Sequence, residues 1–402
     1  MKTLLVDDDP FALKLLARQL EQLGCTELLL CEHAHDALAQ LQTEGHTISM
    51  VFCDLQMPGI DGVEFVRHLA RIQYRGALVV VSGEDARIFK TVQKLAQAHR
   101  INMLGALSKP VSPEQLRTLL GAHDAAESGA PRAAWQRPAP DELARAIAAG
   151  ELVNHYQPKV DFASGRLVGV EALVRWQHPQ AGLVHPDRFI ATAEEHDLID
   201  DLTRVVLANA LHQARRWQDL GLDLQMSVNV SMDNLAVLDF PDLVSRLAAD
   251  AGVALPTLML EITESRLMRD LRAPLDILTR LRLKRIGLSI DDFGTGHSSL
   301  AQLRDIPFDE LKLDRSFVFG VARDPALRAI VEATLAMARD LGIKSVAEGV
   351  EVRADWDVLR ALGCDVAQGY LIALPMPGDD LPDWASAWEP RRQALLAARL
   401  AS

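Results

Sequence analysis

The sequence is poor in cysteine and in long apolar runs. Only four cysteines occur among 402 residues, and their spacing fits neither a disulfide framework nor a metal site, so we expect free thiols in a reducing cytoplasm. No apolar stretch reaches the ~18–20 residues that span a bilayer, and the N-terminus lacks the pattern of a signal peptide. These absences predict a cytoplasmic protein that does not enter the membrane.

Basic residues are also in the minority. The chain has 42 Lys and Arg against 55 Asp and Glu, which gives a formal net charge of −13. Sequence-independent binding of DNA rests on many contacts between basic side chains and phosphates, so no DNA partner is expected. A small anionic ligand is compatible with this charge where bound metal ions offset the acidic residues around it.

The length and the apolar pattern predict two domains. Residues 1–122 alternate short apolar runs with amphipathic stretches, which is typical of a doubly wound parallel sheet of five strands. Residues 123–140, rich in Ala, Gly, Pro and Arg, are expected to form a linker. Residues 141–390 contain seven or eight strand–helix units, which predicts a (β/α)₈ barrel, and 391–402 are expected to form a helical tail whose helix begins at Pro390. The apolar runs interpreted as barrel strands are Leu167–Val170, Leu224–Val230, Thr257–Ile262, Ile286–Ile290, Glu310–Leu313, Ile343–Ala347 and Val366–Leu371.

Polar side chains follow the expected strands of the first domain. Asp7 and Asp8 follow strand one, Asp54 ends strand three, Ser82 ends strand four and Lys109 follows strand five. The carboxyl ends of parallel strands meet in one crevice, where three carboxylates repel one another unless a cation lies among them. The oxygen-only set indicates one Mg²⁺, with Asp54 able to accept a phosphoryl group that Lys109 and Ser82 would contact. Each aspartate by itself is also typical of a turn or a helix cap.

The second domain carries a larger polar set at its strand ends. Because barrel strands are expected to point the same way, these residues should surround one mouth of the barrel. Five carboxylates at one mouth require divalent cations, and two Mg²⁺ or Mn²⁺ ions would nearly neutralise them. With no cysteine and no well-placed histidine, the set argues against zinc. The members are Glu171, Asn229, Glu261, Asp291, Asp292, Lys312, Glu348 and Gln368.

The adjacent pair Asp291 and Asp292 indicates the chemistry. A bridging carboxylate and its neighbour can hold two ions about 3.5–4 Å apart, the geometry used for in-line attack of water on a phosphodiester. Lys312 would then stabilise charge that develops on the phosphate oxygens. Alternatively, the two aspartates form a turn and Lys312 belongs to a surface ion-pair patch. Because such residues follow successive strands of one barrel, the sequence favours an active site over these two alternatives.

The first domain resembles the receiver domain of bacterial two-component response regulators. The resemblance covers about 120 residues and includes the run Asp54-Leu-Gln-Met-Pro-Gly-Ile-Asp-Gly62. It implies that a sensor histidine kinase is a partner and phosphorylates Asp54. Receivers usually carry an aromatic switch residue three positions before the lysine, and this chain has Ala106 there. The signal is therefore expected to travel by helix or loop shifts rather than by rotation of an aromatic ring.

The second domain resembles the EAL-domain family of cyclic di-GMP phosphodiesterases over residues 141–385. The resemblance implies hydrolysis of cyclic di-GMP to linear pGpG by a two-metal mechanism, in a homodimer or a higher homo-oligomer. The alternatives are a catalytically weak EAL domain that senses cyclic di-GMP and a docking module controlled by the receiver. The matching stretches are Tyr156-Gln-Pro-Lys159, Glu171-Ala-Leu-Val-Arg-Trp176, Asn229-Val-Ser231, Glu261-Ile-Thr-Glu264, Asp291-Asp-Phe-Gly-Thr-Gly296, Lys312-Leu-Asp-Arg315, Glu348-Gly-Val-Glu351 and Gln368-Gly-Tyr370.

The same resemblance implies a role for each matching residue. It implies that Lys312 positions the attacking water and that Glu348 is either a metal ligand or the general base. Glu264 would anchor the loop 291–299 rather than bind metal, and His297 stands in that loop where Tyr is commoner. The implied ligands of the first ion are Glu171, Asn229, Glu261 and Asp291. Those of the second are Asp291, Asp292 and Glu348. The implied contacts to the dinucleotide are Gln157, Arg175 and Gln368, with Arg175 on a phosphate.

Overall fold

The structure is a computed structural model of the chain. It describes residues 2–45, 47–83, 92–93, 95–96, 98–99, 101–109, 111–112, 115–117, 119–120, 137–263, 272–294, 303 and 306–397. The chain divides into two compact units, Met1–Trp135 and Gln136–Ser402.

The first unit is a five-stranded parallel sheet with helices, as predicted. Its elements are β1 Lys2–Val6, α1 Pro10–Gln22, β2 Glu27–Cys31, α2 Ala34–Glu44, β3 Ile48–Asp54, α3 Gly62–Arg71, β4 Ala77–Ser82 and β5 Asn102–Ser108. The strand order β2-β1-β3-β4-β5 is that of a doubly wound sheet, which leaves a crevice at the carboxyl ends of β1 and β3. The central strands read as apolar runs because both faces of the sheet are covered: Val51 and Phe65 pack on one face, and Phe52 and Leu116 on the other.

None of the helices described in either unit is long and apolar enough to cross a bilayer.

The second unit contains strands that alternate with helices. The strands are β6 Leu152–Asp161, β7 Leu167–His178, β8 Gly182–Val184, β9 Gln225–Val230, β10 Leu258–Thr263, β11 Gly287–Phe293, β12 Glu310–Leu313, β13 Lys344–Ala347, β14 Val366–Ala367 and β15 Met376–Pro377. The helices are α4 Pro140–Ala149, α5 Ile190–Glu195, α6 Ile199–Asp219, α7 Phe240–Ala251, α8 Arg272–Leu283, α9 Arg315–Val318, α10 Pro325–Leu341, α11 Arg353–Ala361 and α12 Leu381–Ala397.

Eight of these strands close into a barrel. Hydrogen bonding runs in the order β6-β14-β13-β12-β11-β10-β9-β7, and β6 pairs with β7 to complete the ring. The predicted (β/α)₈ barrel is thereby confirmed, with one correction. Strand β6 runs antiparallel to both β7 and β14, so the expectation that every barrel strand points the same way is wrong for β6.

Strand β6 was also missing from the predicted strands. Its sequence, Leu-Val-Asn-His-Tyr-Gln-Pro-Lys-Val-Asp, has no apolar run because its lumen-facing residues Gln157 and Lys159 are polar. Its opposite face packs against α6, where the Tyr156 ring meets Trp217 edge-on at 4.9 Å. A strand with a polar lumen face and a mixed outer face does not show the alternation that identifies most half-buried strands.

The helix ends show where local signals suffice and where packing overrides them. Helix α10 begins with Asp324 as N-cap and Pro325 at its first position, and Gly342, with φ +69°, follows its last residue. Helix α12 was expected to begin at Pro390 but begins at Leu381 and runs through that proline. The buried Trp388 donates a 2.8 Å hydrogen bond to the Gly165 carbonyl, and this packing offsets the backbone bond that the proline removes. Residue 390 is therefore not a structural break.

Candidate active site

Side chains facing the barrel lumen near the carboxyl ends of its parallel strands form one polar layer, here called the upper layer. Side chains alternate along a strand, so neighbouring strands in register bring one such side chain each to the same height. Glu261 on β10 pairs with Asn229 on β9, and Glu171 on β7 pairs with Gln157 on the reversed β6. The upper layer consists of Gln157, Glu171, Asn229, Glu261, Asp291, Lys312, Glu348 and Gln368.

Lys312 lies at the centre of this layer. Its Nζ is 2.6 Å from Glu261 Oε2, 2.5 Å from Glu348 Oε1, 3.1 Å from Asp291 Oδ1 and 3.6 Å from Glu171 Oε2. The lysine side chain is only 1% exposed, so the interpretation as a surface ion-pair patch is wrong. The buried ammonium group of Lys312 thus holds together four carboxylates that would otherwise repel one another.

The two adjacent aspartates belong to a strand and not to a turn. Both lie within β11, where the pairing with β12 shifts register between Ile290 and Phe293. Asp292 has φ +55°, a conformation that non-glycine residues seldom adopt and that often marks functional sites. The irregularity turns Asp292 toward the mouth, and carboxylate oxygens of Asp291, Asp292 and Glu348 lie within 4.8 Å of one another.

The amides of the upper layer orient Glu171. Asn229 Nδ2 donates to Glu171 Oε1 at 2.7 Å, and Gln368 Nε2 donates to Glu171 Oε2 at 2.6 Å and to Gln157 Oε1 at 3.0 Å. Because the Asn229 side-chain nitrogen donates to Glu171, the Asn229 Oδ1 is the atom that could bind a cation. A cavity of about 280 Å³ opens beside these groups and is lined by Gln157, Glu171, Leu173, Asn229, Asp291, Arg315, Glu348, Gly349, Glu351, Gln368, Gly369 and Tyr370.

Arg175 does not line this cavity, although the sequence placed it with the dinucleotide contacts. It is buried on β7, where its guanidinium donates to the Val174 carbonyl at 2.8 Å, and burial lowers its pKa. Arg315 lines the cavity instead. Its Nη2 is 2.9 Å from Glu351 Oε1, and its side chain packs against Gly349. A β-carbon at position 349 would approach the Arg315 side chain to 2.3 Å. Sequence reasoning missed both residues of this pair, although each ends one of the motifs already singled out.

A second polar layer lies beneath the upper layer and was also missed. We call Lys159, Ser227, Ser289 and Glu310 the lower layer. Lys159 Nζ donates to Ser227 Oγ at 2.8 Å and to Glu310 Oε1 at 3.1 Å, and Ser289 Oγ donates to the same Glu310 oxygen at 3.1 Å. The signal that could have found it is a charged residue two positions from a site residue on the same strand.

Burial shifts the pKa values of these carboxyl groups. Desolvation, with repulsion from Glu261 and Asp291, raises the pKa of Glu171 to about 7. Desolvation also raises the pKa of Glu348 well above its usual value. Burial by itself would raise the pKa of Glu261, but Lys159 and Lys312 hold it below its usual value. Burial thus favours the neutral forms of Glu171 and Glu348, whereas the two lysines favour the charged form of Glu261.

The acidic residues of the receiver unit also come together. Carboxylate oxygens of Asp7, Asp8 and Asp54 lie within 4.8 Å of one another, and Lys109 Nζ is 2.8 Å from Asp7 Oδ2 and 2.9 Å from Asp54 Oδ2. The Lys109 amide donates to the Ser82 carbonyl at 2.9 Å, which ties the lysine to the end of β4. Burial raises the pKa of Asp54, and the contact with Lys109 partly offsets this rise.

Of the three positions at which the sequence departs from the family pattern or is expected to anchor a loop, one lies in the described residues. Ala106 lies exposed on β5 opposite Val80, so the position of the usual aromatic switch carries only a methyl group. Glu264 and His297 lie outside the described residues.

Comparisons with known proteins agree with this geometry. Residues 141–375 match the EAL domain, and residues 3–121 match the response regulator receiver domain. The cyclic di-GMP phosphodiesterase RocR of Pseudomonas aeruginosa is 33% identical over 388 residues, which cover 96% of this chain and 99% of RocR. The bifunctional diguanylate cyclase/cyclic di-GMP phosphodiesterase MucR of the same organism is 44% identical over 60% of this chain but only 35% of its own length.

Solved structures show the same relationship. The PaMucR phosphodiesterase in complex with c-di-GMP superimposes with a TM-score of 0.57 and 44% identity, over 60% of this chain and 98% of that one. The matching barrel, the matching receiver and the relative aligned along almost its whole length all agree. This chain belongs to the EAL-domain family and carries a response regulator receiver domain before its barrel.

Proposed function

We propose that this protein hydrolyses cyclic di-GMP to linear pGpG with two divalent cations, and that phosphorylation of its receiver domain regulates this activity. The observation that carries the proposal is the upper layer, in which Lys312 and four carboxylates surround one point beside an open cavity. The full-length similarity to a cyclic di-GMP phosphodiesterase supports the choice of substrate.

The charge of the lumen supports two cations. Six carboxylates in the two layers and at Asp292 face two lysine ammonium groups, which leaves a net charge of −4. Two Mg²⁺ or Mn²⁺ ions balance that charge, and the donors are all oxygens, as these ions prefer. We assign Glu171, Asn229, Glu261 and Asp291 to the first ion. We assign Asp291, Asp292 and Glu348 to the second.

The bound cations would supply the charge that activates water and stabilises the phosphodiester as it is cleaved. With the carboxylates bound to cations, the Lys312 ammonium group would be available to hold the attacking water and a phosphate oxygen. Glu348, whose pKa is raised by burial, is proposed to serve as a ligand of the second ion or as the general base. Gln157 and Gln368 face the cavity and would hold the dinucleotide. Arg175, four residues after Glu171 on the same strand, is proposed to contact a phosphate group of the substrate, which requires its side chain to leave the Val174 carbonyl.

The receiver unit supports a parallel proposal. Three aspartates and Lys109 leave a net charge of −2, which one Mg²⁺ balances. Asp54 would accept a phosphoryl group from a sensor histidine kinase, with Lys109 and Ser82 on its oxygens. Because Ala106 has no ring to rotate, we propose that the signal changes domain or subunit packing within a homodimer or higher oligomer. The proposed boundaries are 1–122 for the receiver, 123–140 for the linker, 141–390 for the EAL domain and 391–402 for the tail. Glu264 is proposed to anchor the loop 291–299.

One experiment separates this proposal from a sensor or a docking module. Purified full-length protein is incubated with cyclic di-GMP and Mg²⁺ or Mn²⁺, and the products are identified by chromatography and mass spectrometry. We expect pGpG with either metal, and none with EDTA or in the Glu261→Gln variant. Tight binding of cyclic di-GMP without any pGpG would contradict the proposal and indicate a sensor.

A further inference from the structure

The lower layer repeats the upper layer one step down the same strands. Ser227 precedes Asn229 by two residues, Ser289 precedes Asp291, and Glu310 precedes Lys312. On the reversed β6, Lys159 follows Gln157 by two residues, so it too lies one step below the site. Residues two apart on a strand face the same way, so the lower layer supports the upper one from beneath.

The two layers meet at Glu261. Its Oε1 accepts from Lys159 at 2.7 Å, and its Oε2 accepts from Lys312 at 2.6 Å. Each oxygen of this carboxylate is thus held by a different lysine. A cation that binds Glu261 therefore competes with one of the two lysines for a carboxylate oxygen.

The contacts of each lysine indicate which of the two would leave Glu261 when a metal ion binds. Lys312 touches four carboxylates, three of which border the cavity, so it can leave Glu261 and keep an ionic partner. Lys159 is 2% exposed, does not line the cavity, and within the described residues forms ion pairs only with Glu261 and Glu310. A cation approaching from the cavity therefore meets Oε2, and Lys159 keeps Oε1.

We propose that Lys159 is a positioning residue that holds one oxygen of Glu261, so that Glu261 gives a divalent cation a single oxygen and the site favours Mg²⁺ over Ca²⁺. Glu310 and Ser227 hold the ammonium group of Lys159 in place for this task. This inference rests on the cation-binding site of the proposed function and adds to it a determinant of metal selectivity.

The chemistry of the two ions explains the selectivity. Ca²⁺ takes six to eight oxygens at 2.3–2.6 Å and commonly binds a carboxylate through both oxygens. Mg²⁺ requires an octahedron at 2.0–2.1 Å and takes one oxygen from each ligand. A glutamate whose second oxygen is fixed to a buried lysine satisfies Mg²⁺ fully but denies Ca²⁺ one of its contacts.

A purely structural role for Lys159 gives a different expectation. In that case the lysine only neutralises buried carboxylates, and its removal would lower the melting temperature while the folded protein binds Mg²⁺ and Ca²⁺ in the same ratio. The paired variant Lys159→Met/Glu310→Gln removes one positive and one negative charge together and leaves the net charge of the lumen unchanged. It therefore tests positioning without leaving a buried charge unpaired.

The test is calorimetric titration of full-length protein with Mg²⁺ alone and with Ca²⁺ alone. An Asp8→Asn/Asp54→Asn background weakens the receiver site, so the heats report on the barrel. We expect the paired variant to bind Mg²⁺ about 10–100-fold more weakly, as is usual when the support of a ligand is lost, while its Ca²⁺ affinity changes less. The ratio of Mg²⁺ to Ca²⁺ affinity should fall about tenfold. A ratio equal to that of the parent protein would overturn the inference, whatever happens to the melting temperature.

A milder pair of variants keeps the test decisive if the paired variant does not fold. Ser227→Ala removes one hydrogen bond to Lys159, and we expect the affinity ratio to fall about two- to threefold. Ser345→Ala is the matched control, because Ser345 is equally buried but bonds Asp365 away from the lumen. An unchanged ratio in Ser227→Ala would overturn the inference. A parent protein that binds neither ion would instead overturn the cation site of the proposed function, and the inference with it.

Discussion

The receiver and the barrel each place one lysine among carboxylates at the carboxyl ends of parallel strands, but they bury it to different extents. Lys109 is 29% exposed and contacts two aspartates. Lys312 is 1% exposed and contacts four carboxylates. Water and salt screen the interactions of exposed charges, and they screen those of buried charges much less. The receiver site is thus partly exposed to solvent, whereas each charged group of the buried barrel site needs a partner of opposite charge.

Because of this difference in burial, the two sites should respond differently to substitution. In the barrel, removal of one partner leaves another charge buried and unpaired, which is costly. In the receiver, solvent can replace a lost partner. We therefore expect substitutions in the barrel to have large effects on turnover, and events in the receiver to have modest ones.

The largest effect is expected from loss of a shared ligand. Asp291→Ala removes the carboxylate assigned to both ions, so turnover should fall by more than the ~10²–10³-fold that loss of a single stabilising donor costs. Turnover of cyclic di-GMP under saturating Mn²⁺ measures it. Asp242→Asn, on a half-exposed carboxylate paired with Arg280 and Lys284, is the control and should retain parental turnover. Near-parental turnover in Asp291→Ala would refute the ligand assignment.

The next effect separates chemistry from binding within the barrel. Lys312→Met should lower kcat about a hundredfold with little change in KM, because the lysine is assigned to the attacking water. Arg175→Lys should raise KM about tenfold with a smaller change in kcat, because lysine cannot reproduce a planar guanidinium contact to the phosphate that Arg175 is proposed to bind. Steady-state kinetics measures both, with Arg216→Lys on the outer surface as the control. Changes confined to KM in both variants would show that Lys312 has no role in chemistry.

Binding of Mg²⁺ to the barrel should depend on pH because of Glu171. The pKa of Glu171 is raised to about 7, so this ligand becomes protonated as the pH falls below 7. Mg²⁺ affinity of the barrel should therefore rise up to about tenfold per pH unit below 7 and level off above it. A raised carboxyl pKa also makes the cation-free barrel less stable as the pH rises from about 4.5 through 7, so stabilisation by Mg²⁺ should grow over that range.

Melting temperature measured from pH 5.5 to 8.5, with and without Mg²⁺, tests this dependence. In Glu171→Gln the carboxyl group is gone, and the growth of the Mg²⁺ effect with pH should shrink. An effect of Mg²⁺ that stays constant from pH 5.5 to 8.5 in the parent protein would show that Glu171 does not titrate near 7.

The smallest effect is expected from the receiver. Beryllofluoride imitates a phosphoryl group on Asp54 and should change turnover within the ~1–3 kcal/mol of ordinary allosteric coupling, toward its lower end. The reason is Ala106, which offers no aromatic ring to relay the change. Asp54→Asn should remove the response. A change of a thousandfold or more in the parent protein, absent in Asp54→Asn, would show that Ala106 does not weaken the relay.

The sequence predicted most of the upper layer because a simple rule governs it. Glu171, Glu261 and Asp291 end or interrupt apolar runs, and the carboxyl ends of parallel strands meet at one mouth. The strand alternation of two residues then places such side chains in the lumen. The same rule places Asp54 and Lys109 in the receiver crevice, where the structure shows them 2.9 Å apart.

The features that the sequence did not predict depend on contacts between residues far apart in the chain. Strand β6 escaped detection because its polar face looks into a polar lumen, and its reversed direction follows from closure of the barrel rather than from local pattern. Lys159 and Glu310 are 151 residues apart, and only the closed barrel brings them together. The left-handed conformation of Asp292 depends on a register shift that no local signal announces.

The proposed reaction depends on a pair of divalent cations bound side by side in the barrel lumen. Binding of Mn²⁺ followed by electron paramagnetic resonance tests it most directly, in the Asp8→Asn/Asp54→Asn background that weakens the receiver site. We predict two Mn²⁺ ions per barrel with the spin coupling of a pair about 3.5–4 Å apart, and loss of that coupling in Asp291→Asn. A single isolated ion, or two ions without coupling, would contradict the account.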